Sequence, residues 1–179
     1  AKILRRSVDA RKKDNVHFTV TAAVSLRSGE EKYPAYIPYT PPAVTPLKAK
    51  PRLRPVVCGA GPAGLLAALT LAEAGAEPIL LERGDKVEDR QEAVARFQRT
   101  RILDTESNIQ FGEGGAGTFS DGKLNTGVNN IRIGWVLEQF VKFGARENIL
   151  YDAKPHIGTD ILLEVVQNLR RRIIELGGE

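Results

Sequence analysis

One cysteine and two histidines are all that this 179-residue chain contains of those residue types. A lone cysteine excludes an intramolecular disulfide and a cysteine-built metal cluster. His17 and His156 give no metal-site spacing. No apolar run approaches the length of a membrane span: the longest, near Leu65–Ala72, is short and rich in small residues. The basic first residues are not followed by an apolar segment, so no signal peptide is expected and the cytoplasm is the expected compartment. Ser107 and Ser120 lack the strand-to-helix setting of a nucleophile elbow. There is no internal repeat or low-complexity tract, and no residue is assigned a catalytic role.

The stretch Pro55–Gly84, PVVCGAGPAGLLAALTLAEAGAEPILLERG, is rich in signal. Pro55–Cys58 reads as a buried parallel strand, with Cys58 acting as a small hydrophobe within it. Gly59, Ala60, Gly61, Pro62, Ala63 and Gly64 follow in GxGxxG spacing. In that pattern the first glycine makes the tight turn. The second lets the backbone approach a diphosphate, and the third lets a helix pack closely on the sheet. Pro62 suits a helix start, Ala68 and Ala72 extend the small face, and Gly75 closes the helix. The helix start is an anion site by its free N–H groups and dipole. Pro78–Leu81 predicts a second parallel strand ending at Glu82, eighteen residues after Gly64. A carboxylate there can accept from ribose hydroxyls and would repel a 2′-phosphate.

Charge is unevenly spread. Residues 1–54 hold twelve Lys and Arg against four Asp and Glu, or +8, while residues 55–179 hold fourteen against eighteen, or −4. The basic part reads first as an intramolecular complement to the acidic part, and second as an arm for nucleic acid or another acidic partner. Within it, Lys2–Lys13 predicts a short helix with Ile3, Leu4 and Val8 on one side, and Val16–Leu26 predicts a strand. Arg27–Lys32 reads as a turn. Tyr33–Pro55 holds seven of the ten prolines and reads as an extended linker, draped on a neighbouring surface by Tyr33, Tyr36 and Tyr39. The expected division is a small α+β region over 1–33, a linker over 34–54 and a nucleotide-binding domain over 55–179.

Beyond Gly84, helices are expected over Lys86–Leu103, Ile131–Phe143 and Thr159–Leu176, the last with Thr159 as N-cap and Asp160 in its first turn. Ile149–Tyr151 predicts a short strand. Between the first two helices, Asp104–Asn129 is a long polar loop carrying the second glycine cluster, QFGEGGAGTFSDGK over 110–123. Backbone N–H groups in such a loop can form a concave anion site, with Thr118, Ser120 and Lys123 as further donors. A surface loop in which Asp121 and Lys123 simply pair is the other reading. His17 reads as structural. His156 reads as a loop residue capping backbone groups, or as an acid–base group facing a ligand.

These residues carry a resemblance. GAGPAGLLAALTLAEAG followed by LLERG is similar to the FAD-binding start of flavoproteins built like glutathione reductase. SNIQFGEGGAGTFSDGKLNT, KPHIGTD and the RRSVDARKK opening resemble, more specifically, a bacterial group known as uncharacterised FAD-dependent dehydrogenases. The likeness runs through nearly the whole chain. It implies an α/β, Rossmann-like βαβ domain binding FAD or NAD(P), with the ADP half of FAD on Gly59, Gly61, Gly64 and Glu82. Arg83 and Gly84 would lie beside the adenosine. Gly114, Gly115, Ala116, Gly117 and Thr118 would approach the pyrophosphate, ribityl chain or isoalloxazine. Members of that group are much longer than this chain, so the domain is expected to be incomplete here. The implied activity is that of an FAD-dependent dehydrogenase, with NAD(P)H or another electron donor and a small-molecule substrate as partners. An enzyme using NAD alone fits the same acidic strand end. A nucleotide-binding protein with a basic RNA- or partner-binding arm is the third reading, weakened by the lack of a nucleic-acid motif.

Overall fold

The computed structural model describes residues 1–25 and 35–179. Leu26, the Arg27–Lys32 turn and Tyr33 lie outside the described residues. The architecture is mixed α/β: an antiparallel hairpin at the N-terminus, then a parallel strand–helix–strand unit, then three further helices joined by glycine-rich connections.

The hairpin pairs β1 (Lys2–Asp9) with β2 (His17–Ala23), from Lys2 opposite Ala23 to Asp9 opposite His17, with an irregularity between Ile3 and Arg5. The helix expected over Lys2–Lys13 is therefore a strand. Ile3, Leu4 and Val8 fit a helical face, but the β-branched segment after the Lys12–Asn15 turn offers a ladder, and pairing overrides weak local propensity. Among residues 1–25 the structure is all strand and turn, so the expected α+β character gives way to a hairpin.

Residues 35–46 form neither helix nor strand, in keeping with their prolines. Tyr39 donates its hydroxyl to the Ile131 carbonyl at 2.9 Å and lays its ring against Gly134. Tyr36 lies under the Lys2 ammonium.

β3 (Val56–Cys58) and β4 (Ile79–Leu81) are parallel, with Val57 opposite Leu80, and are joined through α1 (Pro62–Glu73). Burial of the first strand was expected, yet Val56 is 55% exposed and Cys58 is also exposed. The sheet is narrow: among the described residues β3 pairs with β4 alone. On the far side of β4, Leu80 N–H donates to Glu179 O at 2.7 Å and Glu179 N–H to Pro78 O at 2.9 Å. α1 ends as its glycine dictates. Gly75 takes φ +84° and Ala76 N–H closes on Leu71 O at 2.9 Å.

α2 (Val87–Thr100) stops where Arg101 turns left-handed, short of the expected Leu103. α3 spans Arg132–Lys142 and α4 spans Thr159–Glu175. Thr159 is the first helical residue rather than the cap. Gly158 occupies the cap at φ +88°, a conformation that strains any side chain, and a Cβ there would lie 2.8 Å from Asp160 Oδ1. Ile149–Tyr151 is not a strand. Residues Glu147–Leu150 form a 3₁₀ turn that drives Ile149 into the core, and the bridge to β1 falls one residue later, at Asp152 opposite Arg6. The core lies between α1 and α4, where Leu65, Ala68 and Leu69 meet Val165, Leu169 and Ile173. It fixes the start of α1 and the loop that follows α2.

Candidate nucleotide site at two glycine loops

The turn from β3 into α1 is built by sterics. Gly59 takes φ +93°, a region that penalises a side chain, and donates its N–H to Leu81 O at 2.6 Å. A Cβ on Gly64 would overlap the Gly59 carbonyl oxygen, so only glycine lets the helix sit this close to the strand end. Gly61 differs: its backbone is extended (φ −71°, ψ 178°), and a Cβ there would meet nothing within 4 Å. The space that a side chain would fill is open, and it borders the helix start. Among the described residues no side chain caps α1, and Pro62 and Ala63 are exposed. The first-turn N–H groups and the positive end of the dipole therefore face a free approach suited to a diphosphate.

Glu82 stands at the end of β4. Its Oε2 accepts from Ala60 N–H at 2.6 Å and its Oε1 from Gly84 N–H at 3.0 Å. Each carboxylate oxygen keeps a second lone pair, so the group that ties the two turns together can still accept from sugar hydroxyls. Arg83 turns away, stacks on Phe111 at 4.2 Å and donates to Thr105 O at 2.9 Å. Gly84 is pressed against Gly112, where a Cβ would lie 2.5 Å from the Gly112 Cα.

The second glycine cluster folds onto the first. Gly114 N–H donates to Ala60 O at 2.8 Å, and a Cβ on Gly115 would be 3.2 Å from Pro62 Cδ. Ala116 and Gly117 begin a 3₁₀ turn (Ala116–Phe119) and are exposed. Thr118 is fully buried. Among the described residues its hydroxyl has no hydrogen-bond partner, and it lies beside Gly114, so its side chain faces inward. The other side-chain donors expected on this loop are engaged within it: Lys123 pairs with Asp121 at 2.5 Å and Ser120 donates to Gly117 O at 3.2 Å. The backbone, rather than the side chains, is what this loop presents.

Two charged residues that sequence reasoning missed hold the site. Arg90 is wholly buried under the loop, its guanidinium pushed below its ordinary pKa by burial, against the pull of Glu82 and Glu113. Its signal was its spacing, three residues after Val87 and four before Val94, on the inward stripe of α2. Glu113 is 5% exposed. It accepts from Val87 N–H at 2.9 Å and from Arg170 at 2.6 Å. Burial raises the Glu113 carboxyl above its usual range, while the Val87 N–H and Arg170 oppose the rise. Arg170 also reaches Glu88 at 2.5 Å, so α4 is tied to α2 and to the loop at one point. A cleft of about 340 Å³ opens here, lined by Ala60, Leu80, Glu82, Glu113 and Arg170.

His156 is exposed, and its backbone bridges Lys123 on the far part of the same loop. His17 opens β2, with Nδ1 3.0 Å from Asn15 O. The larger cleft of about 1070 Å³, between β1, residues 36–40 and α3, contains none of the glycine-loop residues.

Residues 53–105 match the family model described as FAD binding domain, which identifies FAD as the cofactor. The match covers β3, α1, β4 and α2, including Gly59–Gly64, Glu82 and Arg90. An uncharacterized protein of Clostridium beijerinckii is 44% identical to the chain over an alignment of 203 residues, which takes in 99% of this chain and 35% of that protein. The chain thus spans about a third of the length of this relative.

Proposed function

We propose that the two glycine loops hold FAD in a Rossmann-like manner and that the protein is an FAD-dependent oxidoreductase, of dehydrogenase type, within the glutathione-reductase-like flavoproteins. The observation that carries this reading is the uncapped start of α1 beside the open space at Gly61, with the Glu82 carboxylate across the turn. In this reading the first-turn amides of α1 receive the pyrophosphate, and Glu82 accepts from the adenosine ribose. Gly115, Ala116 and Gly117 bring bare backbone to the ribityl side. When bound, FAD supplies the redox chemistry; the chain binds it, orients it and keeps side chains out of its path.

The same proposal assigns residues 55–179 to the cofactor domain, 34–54 to a linker and 1–33 to an N-terminal appendage. The electron donor is NAD(P)H or an equivalent reductant, the substrate is a small molecule, and no nucleic acid or membrane takes part. No helix among the described residues is long and apolar enough to cross a membrane. A reducing cytosol suits the exposed thiol of Cys58.

Titration of the purified chain with FAD, ADP, NAD and NADP, followed by flavin fluorescence and thermal shift, tests the reading. FAD is expected to bind tightest, ADP more weakly, and NADP least, because the Glu82 carboxylate repels a 2′-phosphate. Selective stabilisation by NAD would instead establish the NAD-only alternative. Absence of any nucleotide binding, joined to salt-dependent RNA binding by the basic hairpin, would favour the binding-protein alternative.

A further inference from the structure

We propose that Arg90 is a positioning residue: without touching the cofactor, it holds the Gly112–Gly117 loop over the start of α1 and thereby sets how tightly the flavin half of the cofactor is gripped. The second part of this statement rests on the FAD reading above; the first part does not.

A buried guanidinium ordinarily requires a carboxylate partner. Among the described residues, no carboxylate bonds to Arg90. Five backbone carbonyls do so instead. Nη2 donates to Asn108 O at 2.9 Å and to Ile109 O at 3.1 Å, and Nε is 3.3 Å from Asn108 O. Nη1 donates to Gly115 O at 3.1 Å, to Gly112 O at 3.3 Å and to Glu113 O. The Phe119 ring lies 4.7 Å from the guanidinium carbon. Only a planar fork with five N–H donors can reach so many acceptors from one point.

Glu113 anchors one end of the loop to Val87 and Arg170, and Gly114 N–H meets Ala60 O, but apolar packing adds little. Gly112, Gly114, Ala116 and Gly117 bring almost no apolar side chain to a core, so the cation stands in for one. Gly112 is glycine for the same reason: at φ +115° its Cβ would overlap the Arg90 side chain. The arrangement also aims the loop outward. In a planar trans peptide the C=O and N–H point in opposite directions, so drawing the Gly115 carbonyl down to Arg90 turns the Ala116 N–H away, toward the exposed side. The Gly114 N–H, on the peptide whose carbonyl is Glu113 O, reaches Ala60 O across the first loop.

Amide hydrogen exchange on the cofactor-free full chain decides the first part. In Arg90→Lys and Arg90→Met, amides of 112–118 should lose protection by about tenfold or more, while α1 and α4 amides such as Leu69 and Leu169 hold theirs. Lysine should not rescue, because a point charge cannot span the five carbonyls. Unchanged protection at Gly114, or an equal loss across α1 and α4, would overturn the assignment. Should both variants fail to fold, Phe119→Leu removes only the ring beside the guanidinium. It should give a smaller loss confined to the same loop, and no loss would count against Arg90. The second part is read by titration of the same variants. FAD affinity should fall by about tenfold with ADP affinity nearly unchanged, since the adenosine end lies on α1 and Glu82. Equal losses for both ligands would refute it. If the unaltered chain binds neither ligand, the FAD reading falls, and the exchange measurement still decides whether Arg90 holds the loop.

Discussion

Gly61 and Gly64, both shortly after the end of β3 at Cys58, have opposite reasons for being glycine, and substitution separates them. Gly64→Ala would drive a methyl group into the Gly59 carbonyl. Overpacking of this kind costs about 1–3 kcal/mol, a fall in Tm of several degrees for a chain of this size, measurable by differential scanning calorimetry. Gly61→Ala places its methyl in open space at an ordinary φ, so Tm should stay within about 1 °C, while FAD or ADP affinity drops. Equal ligand binding by the Gly61 variant would move the diphosphate elsewhere. The spacing of these glycines was legible in the sequence. Arg90 was not read, because an arginine on a helix is normally placed in solvent, and its stripe position carries weight only once the glycine loop is known to cover it.

At the scale of elements, α2 and α4 are joined through Arg170, Glu88 and Glu113. Arg170→Leu leaves the Glu113 carboxylate buried beside one N–H. The expected destabilisation is on the order of 2–3 kcal/mol, less than for a fully buried pair because Glu88 is partly in water. The sign of its pH dependence follows from burial. The folded Glu113 carboxyl ionises above its unfolded value, so the folded state holds the proton longer and stability falls as pH rises between the two. The loss in the Arg170 variant should therefore be largest near neutrality and shrink in mild acid, as read by urea denaturation at several pH values.

The hairpin shows the opposite sign. Arg6 donates to both Asp152 oxygens, at 2.7 and 2.9 Å, and holds the carboxyl below its usual range. A depressed acid contributes stability above its unfolded pKa of about 3.9 and loses it as pH falls through the lower folded value. Acid below that range, or Asp152→Ala at neutral pH, should release β1 from residues 151–153. Exchange protection at Arg6 and Ala153 reports this, with the amides of α1 unaffected. Why β1 misled as a sequence is clear from the same contact: Leu4 and Arg6 point toward the body while Val8 and the whole outer face of β2 stay exposed, so hydrophobicity alone does not mark the buried side.

For the whole molecule, the charge imbalance resolves in part within the chain. Arg6 pairs with Asp152, Lys50 with Glu77, and Arg54 with Glu179, each joining the basic first part to the acidic remainder. These surface pairs weaken with salt. Ligand should act on the molecule as a unit. At a hundredfold excess over Kd, a ligand bound only to the folded state adds about 2.7 kcal/mol, or roughly 5–10 °C in Tm. FAD is expected to reach that shift, and a flat melting curve across the titration would contradict the cofactor assignment.

The β3–α1–β4 unit and its glycine-rich turn were legible in the local sequence. Those features depend on contacts within some thirty residues, where glycine, proline and alanine leave the backbone few options. Tertiary structure alone decided that residues 2–9 are a strand, that Cys58 is exposed and that Thr118 faces inward. It also decided that the second glycine loop lies on the first, held by a buried arginine. Each of these depends on a partner far along the chain, and a distant partner leaves no periodic trace in the local sequence.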